Sequence, residues 1–334
     1  MKAIRFGLVG CGKIAACNHA PEVAHLGRQK GEIVALYDIK KGKAAAFARE
    51  ADLPGARLCR SYTELLASDI DAVIIATPNS FHCPQTIEAL KAGKHVLVEK
   101  PMAGTVAEAD KMIDLANRLG LVLQVNQSLR FSPLYVEIQK CVARGVIGKP
   151  LHARCLRASS CSPEIGWSPG AIWFVQKKYE GSLVGDIAVH MADFLQGAFG
   201  PVRQIQAFTR NWSHEVVDNV TALFDFQNGA TGVLQLSWTF PKGDGALELY
   251  GEKGKLSTNK DGFAVVFKDA RRQPLQVNAA DLKPIPDSHA AFVRRLARGD
   301  LRAWLAGREA IALCEAISTA GRTGKATRPK NRKD

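Results

Sequence analysis

Over its first 126 residues the chain alternates short apolar runs with stretches of helical period. The runs are residues 3–10 (AIRFGLVG), 32–38 (EIVALYD), 71–78 (DAVIIATP), 95–100 (HVLVEK) and 121–126 (LVLQVN). They are mostly continuous rather than alternating, as strands buried on both faces require. Between them, residues 86–92 and 106–119 read as helices. The second opens on Thr105 with Glu108 three residues later, a capping-box spacing, and closes at Gly120. Buried strands separated by helices predict parallel βαβ units in a doubly wound α/β sheet.

After residue 126 the pattern changes. Residues 133–148 read as a bridging helix. Residues 151–159, 202–211, 218–226, 231–239, 245–250 and 254–259 read as strands, with Asn228-Gly229 between two of them as a hairpin signal. Helices are predicted over 183–199 and 303–321. The expected second domain is therefore α+β with a largely antiparallel sheet. The predicted organisation is a dinucleotide-binding domain over 1–126, a substrate and oligomerisation domain over 127–328, and a basic, disordered tail over 329–334.

Chemistry concentrates at the ends of the apolar runs. Gly10-Cys11-Gly12-Lys13-Ile14-Ala15 is a G-x-G-x-x-A fingerprint that follows a strand and precedes a helix. The first glycine makes the tight turn, the second lets backbone approach a pyrophosphate, and Ala15 allows close helix packing. Pro21 would disrupt a helix running on from the fingerprint, so a new segment is expected there. Asp38 closes the second run, where a carboxylate accepts from a ribose 2′-hydroxyl and repels a 2′-phosphate; Ile39 suits adenine. Lys40 and Lys41 attract phosphate, so NAD is favoured and NADP stays open. Thr77 and Pro78 end the third run and Asn79 follows it, with His82 in the next helix, and Glu99 and Lys100 end the fourth. Asn126 ends the fifth run. All are expected at the cofactor crevice, since strand carboxyl ends face it. In residues 181–200, GSLVGDIAVHMADFLQGAFG, Asp186 and His190 stand four apart on one helical face, with Asp193 three further on. A histidine beside a carboxylate suits acid/base work near neutral pH; a salt-bridged structural helix is the alternative.

Composition adds restraint. Lys and Arg number 45 against 32 Asp and Glu, a net charge of +13. Part of that excess lies in Lys40, Lys41 and Lys43 and in the tail from Arg322. No stacking motif or helix-turn-helix accompanies it, so nucleic-acid binding is not expected. No apolar run reaches membrane-spanning length, and the N-terminus enters a strand without a secretory segment. The eight cysteines show no C-x-x-C spacing. Neither a structural nor a catalytic metal is expected, and the location is expected to be cytoplasmic.

Taken together, GCGKIA, the Tyr37-Asp38 pair, ATPNSFH, HVLVEKPMA and the helix GSLVGDIAVHMADF, preceded by Trp173, resemble the glucose–fructose oxidoreductase / inositol dehydrogenase family from Lys2 to about Arg328. The resemblance implies a Rossmann domain followed by an open-faced sheet domain that forms homodimers or homotetramers. It implies hydride transfer between nicotinamide and a secondary hydroxyl or ketone of a sugar, cyclitol or sugar derivative. By match, Lys100 contacts the reacting hydroxyl, His190 is the acid/base, and Asp186 orients His190 or the substrate. Arg130, Arg157, Trp167, Trp173 and Lys177 are candidates for the substrate wall. Two departures bear on that wall: Glu180-Gly181-Ser182 replaces a run of glycines, and Phe174 stands where many members have Arg. An NAD-dependent glycoside hydrolase without net redox and a non-enzymatic sensor are the competing readings; a sensor would not need Lys100, Asp186 and His190.

Overall fold

The computed structural model describes residues 2–301 and 303–332. The chain forms two compact units, one of residues 1–127 with 286–308 and one of 128–285 with 309–334. The sequence placed 286–308 in the second domain; the fold returns it to the first. Nothing local could have signalled this, because the pairing spans more than half the chain.

The first unit is built on a parallel sheet of β1 (Ile4–Val9), β2 (Gly31–Tyr37), β3 (Arg57–Leu58), β4 (Ala72–Ile75), β5 (His95–Glu99) and β6 (Leu123–Asn126), in the order β3-β2-β1-β4-β5-β6. The two-residue β3 was too short to read from the sequence. The strand order reverses between β1 and β4, and the carboxyl ends beside that switch point form the ligand crevice of such sheets. β4 is buried at all four positions, which accounts for its uninterrupted apolar run.

After the fingerprint the chain makes a π-helical turn, Ala15–His19, and continues as α1 (Ala20–Leu26) with Pro21 in its first turn. Pro21 has no N–H to give, and the Ala20 amide bonds the Ala15 carbonyl five residues back. α2 (Lys43–Glu50), α3 (Tyr62–Leu66), α4 (His82–Lys91) and α5 (Val106–Leu119) connect the remaining strands. The capping box at Thr105 and Glu108 is formed, and Gly120 closes α5 in the left-handed conformation. The bridging helix α6 (Pro133–Ala143) belongs to the second unit.

That unit carries an eight-stranded sheet: β7 (Pro150–Ala158), β8 (Val202–Arg210), β9 (Asn219–Phe226), β10 (Thr231–Ser237), β11 (Asp244–Gly251), β12 (Gly254–Asn259), β13 (Gly262–Phe267) and β14 (Leu275–Asn278). The order is β14-β13-β12-β11-β7-β10-β9-β8, antiparallel except between β7 and β10. The last two strands were not foreseen. Asn228-Gly229 makes the β9–β10 turn, with Gly229 at φ 87°.

One face of the sheet joins a core with the helices: Phe224, Phe226, Leu234 and Leu249 cluster with Met191, Leu195, Leu313 and Ile317. The opposite face exposes Phe208, Leu223 and Val266. The helix predicted over 183–199 is a π-helical turn, Val184–Ala188, followed by α7 (Val189–Phe199).

α8 (Ser288–Ala297) begins under the Asp287 N-cap and completes the first unit's core, with Phe292 beside Phe6 at 6.0 Å between ring centres. α9 (Ala306–Thr323) ends the chain's regular structure. Beyond it Thr327 bridges Ile205, and Lys330 pairs with Glu315. Of the expected tail, Lys333 and Asp334 lie outside the described residues. No helix among the described residues is long and apolar enough to cross a membrane.

Candidate active site

The fingerprint sits at the switch point, and its glycines are required there. Gly10 has φ 90°, and a Cβ on it would meet the Ala76 carbonyl oxygen at 2.4 Å. At Gly12 a Cβ would find nothing closer than Lys43 Nζ at 3.8 Å, so the space above this glycine is open to a ligand. The Asp38 carboxylate ends β2 and reaches back to the turn. It accepts from the Cys11 amide at 2.9 Å and the Lys40 amide at 2.8 Å, and Lys43 Nζ lies at 3.4 Å. Burial, and then the Asp38 charge, push the Cys11 thiol up to about 12, so it is not a thiolate at neutral pH. Ile39 is 83% exposed, an apolar side chain held in water at the crevice edge.

Past β4, Thr77 donates to Gln85 Oε1 at 2.7 Å, and Asn79 is buried. His82 lies under this turn. Its Nδ1 faces the Pro101 carbonyl at 2.7 Å and its Nε2 the Thr77 carbonyl at 2.8 Å. Burial holds it below the usual histidine value, against both carbonyls. His82 therefore ties two crevice turns together, and its polar atoms are committed within the fold rather than offered to a cofactor.

Glu99 and Lys100 end β5, and the Lys100–Pro101 peptide is cis. Glu99 is 6% exposed and anchors a network that the sequence did not reveal. Its Oε1 accepts from Asn126 Nδ2 at 2.6 Å and faces His19 Nε2 at 3.1 Å; its Oε2 accepts from the Lys100 amide at 3.1 Å. Burial pushes this carboxyl up, but His19, Asn126 and the Lys100 charge together hold it below the ordinary range. Asn126 also donates to Asn18 Oδ1 at 2.8 Å, so its amide organises the site from inside the wall.

Beyond His19 stands His289 of α8, bonded in turn to Glu22. Glu22, Asp287 and His289 bring possible metal-ligand atoms within 4.8 Å of one another. His289 Nδ1, however, already meets Glu22 and its Nε2 already meets His19, so neither ring nitrogen is open to an ion. His19 follows Ala15 by four positions, one helical turn inside the fingerprint helix. That spacing was the available signal.

In the second unit, Asp186 and His190 are 4% and 8% exposed, on the π-helical turn and on α7. Charged and titratable groups so deep in an apolar helix break the local pattern, as functional positions do. Asp193, read as extending the same face, instead takes Arg130 in a two-pronged pair at 2.9 and 2.7 Å. Arg130 is thus engaged by Asp193, with its side chain still 32% exposed. Arg157 and Lys177 are exposed. Trp167 and Trp173 do come together: both rings pack on Phe174, at 5.6 and 3.7 Å. Gly181 is held against the Phe174 carbonyl, where a Cβ would lie at 2.2 Å, so this single glycine cannot be replaced without moving the aromatic turn.

The loop bearing these rings is pinned to the segment that leads into β9. Ser162 meets Glu164 at 2.5 Å and His214 Nε2 at 3.1 Å, while His214 Nδ1 bonds Asp218 at 3.0 Å. Asp218 also accepts the amides of Trp212, Ser213 and His214 and the side chain of Asn219. Burial opposes its ionisation, but these donors hold it below the usual carboxylate range. No local pattern points to this network, whose members are up to 56 positions apart (162 to 218).

The parallel sheet, the glycine turn at its switch point and the carboxylate ending β2 define the class, a dinucleotide-binding α/β protein. Residues 4–127 match the oxidoreductase family with an NAD-binding Rossmann fold, and residues 135–257 match the GFO/IDH/MocA C-terminal domain. The chain belongs to this family and is an NAD-dependent oxidoreductase. It is 30% identical over 258 residues to the 1,5-anhydro-D-fructose reductase of Ensifer adhaerens, an alignment covering 75% of this chain and 74% of that enzyme. The WlbA dehydrogenase of Bordetella pertussis, solved with NADH and UDP-GlcNAcA, is 25% identical with a TM-score of 0.85, over 99% of each chain. A levoglucosan dehydrogenase solved with NADH and L-sorbose shares the fold, with a TM-score of 0.86 at 23% identity over 99% of this chain and 100% of that one.

Proposed function

We propose that this chain transfers hydride between nicotinamide and a secondary hydroxyl or ketone of a sugar, cyclitol or sugar derivative. Lys100, Asp186 and His190 are its reacting residues. Membership of the family carries this reading, and the burial of Asp186 and His190 in an otherwise apolar helix is the observation on the chain itself that supports it.

The residues of the first unit fit the cofactor. The open space over Gly12 accommodates a pyrophosphate, and Asp38 stands where a ribose 2′-hydroxyl would donate. When bound, the cofactor supplies the hydride acceptor or donor. Lys100 then polarises the reacting oxygen with its ammonium group. His190 takes the hydroxyl proton during oxidation and returns it during reduction, and the Asp186 carboxylate favours the charged imidazole as it forms. The Trp167, Trp173 and Phe174 rings offer the flat apolar surface on which the C–H face of a sugar ring rests.

The enzyme is proposed to assemble as a homodimer or homotetramer through the exposed sheet face, where Leu223 pairs with Val233 across strands and Phe208 stands 58% exposed. Eight free cysteines suit a cytoplasmic enzyme.

Turnover against a panel of sugars, cyclitols and their keto forms, followed by nicotinamide absorbance, tests the reaction. On the substrate so found, His190→Ala and Lys100→Ala are each expected to lower kcat by roughly two orders of magnitude, with NADH affinity within about twofold of the wild type. Near-wild-type turnover by His190→Ala would move the acid/base role elsewhere. A wild type that converts no polyol or ketone would reject the reaction itself.

A further inference from the structure

The loop carrying Trp167, Trp173 and Phe174 is tied at both ends to one short segment. At one end Ser162 Oγ lies 2.5 Å from Glu164 Oε1 and 3.1 Å from His214 Nε2. At the other the Lys177 amide donates to Glu215 Oε1 at 2.7 Å, and the Leu183 amide to the Val217 carbonyl at 2.8 Å. Between them His214 Nδ1 lies 3.0 Å from Asp218 Oδ2. The Asp218 and Glu164 side chains are 0% and 11% exposed, and His214 is the one ion-pair partner of either among the described residues.

Counting hydrogens fixes the state of the ring. Three links run from Asp218 through His214 and Ser162 to Glu164, and each needs one hydrogen between its heavy atoms. Asp218 brings none, since its carboxylate also accepts three amides and the Asn219 side chain. The serine hydroxyl brings one hydrogen and a neutral imidazole one more. With only these, either Nε2 and the Ser162 oxygen face each other with lone pairs, or Ser162 and the Glu164 carboxylate do. A third hydrogen is needed. An imidazole holds a proton about two pH units more tightly than a carboxyl group, and the Asp218 charge lies against the ring. The third hydrogen therefore belongs on His214. Nδ1–H then donates to Asp218, Nε2–H to Ser162, and Ser162 to Glu164.

We propose that His214, as the imidazolium, is a positioning residue that holds the aromatic loop in place for the substrate. This rests on the reading of Trp167, Trp173 and Phe174 as the surface that receives a sugar ring. The surroundings of His214 suit the charge. Asp218 and Glu164 flank it, and Glu215 beside it is engaged by the Lys177 amide. Trp238 packs edge-on against the ring, 6.0 Å between centres, and brings no charge of its own. Losing the Nε2 proton breaks the link to Ser162, so the loop is held in neutral and mildly acidic solution and released in base. The effect falls on substrate rather than cofactor, because every member of the network belongs to the second unit.

Glu164→Gln separates the charge from the contact. Its amide brings a hydrogen, so Gln donates to Ser162, Ser162 to His214 Nε2, and Nδ1–H to Asp218, with the ring neutral. The links then survive without the extra proton.

Two measurements on the full chain test the proposal. Nitrogen-15 NMR at neutral pH, with the ring assigned by its absence from His214→Gln, is expected to show two N–H protons on His214. A single N–H overturns the proposal. On the active substrate, the wild-type KM is expected to rise by roughly tenfold between about pH 6 and about pH 9. Glu164→Gln is expected to keep the wild-type KM at neutral pH and to lose that rise. His214→Ala is expected to raise KM by roughly tenfold already at neutral pH, with kcat and NADH affinity within about twofold of the wild type. A Glu164→Gln profile that rises as the wild type's does, or a wild-type KM in His214→Ala, would overturn the positioning role while leaving the oxidoreductase reading intact. A wild type inactive on every substrate would instead sink that reading, with the ring's charge still decided by NMR.

Discussion

Asp38 shows how one residue commits a site. Its carboxylate is fixed by the Cys11 and Lys40 amides, so it cannot swing away from a ligand at little cost. A 2′-phosphate brought to it would meet a held negative charge, softened only by Lys43 at 3.4 Å. Asp38→Ala is accordingly expected to shrink the preference for NAD over NADP, with Lys43 freed to attract phosphate; the measurement is the ratio of kcat/KM for the two cofactors. An unchanged ratio would place the discrimination in another residue. The position of Asp38 was legible because strand, glycine turn and acidic strand end are close in sequence. The surroundings of Glu99 were not, since His19 meets it from 80 positions away (19 to 99) and His289 stands behind His19, a further 270 positions along (19 to 289).

The elements follow their local signals closely where caps are strong. Thr105 Oγ1 accepts from the Glu108 amide at 3.2 Å while Glu108 accepts from the Thr105 amide at 3.1 Å, and α5 begins where the sequence placed it. Thr105→Ala should lower stability by about 1 kcal/mol, seen as a lower urea midpoint with an unchanged slope. A midpoint identical to the wild type would mean that packing alone defines that helix start. Local signals failed in two other elements. The segments Ala15–His19 and Val184–Ala188 both contain π-helical turns. Each inserts a residue into an apparently regular helical pattern, and apolar periodicity is too coarse to resolve one extra residue. Both turns carry side chains of the candidate site, His19 and Asp186.

For the molecule as a whole, buried carboxylates tie stability to pH. Glu99 and Asp218 are held below the ordinary carboxylate range, so each favours the native state above its unfolded pKa, and that contribution disappears as pH falls through the lower folded value. Asp218→Asn removes one such term without touching the first unit. The stability gap between wild type and variant is expected to be full above about pH 4 and to narrow as acid is added, followed by thermal unfolding across pH. A gap independent of pH would show that the lost amide contacts, not the charge, account for it. The same network pins the loop carrying Trp167 and Trp173, so the variant also reports whether that loop's position depends on Asp218.

The sequence established the alternation of buried strands and helices, the glycine fingerprint, the acidic end of β2 and the anomalous polar residues of the helix around His190. These are written in short windows, where backbone geometry and burial act on neighbouring residues. The return of α8 to the first unit, the Arg130–Asp193 pair, the His82 clamp and the row from Glu22 to Glu99 arise only when distant segments pack. A buried polar group takes whichever partner the fold brings within hydrogen-bond distance, and that partner's place in the chain leaves no mark on the local pattern.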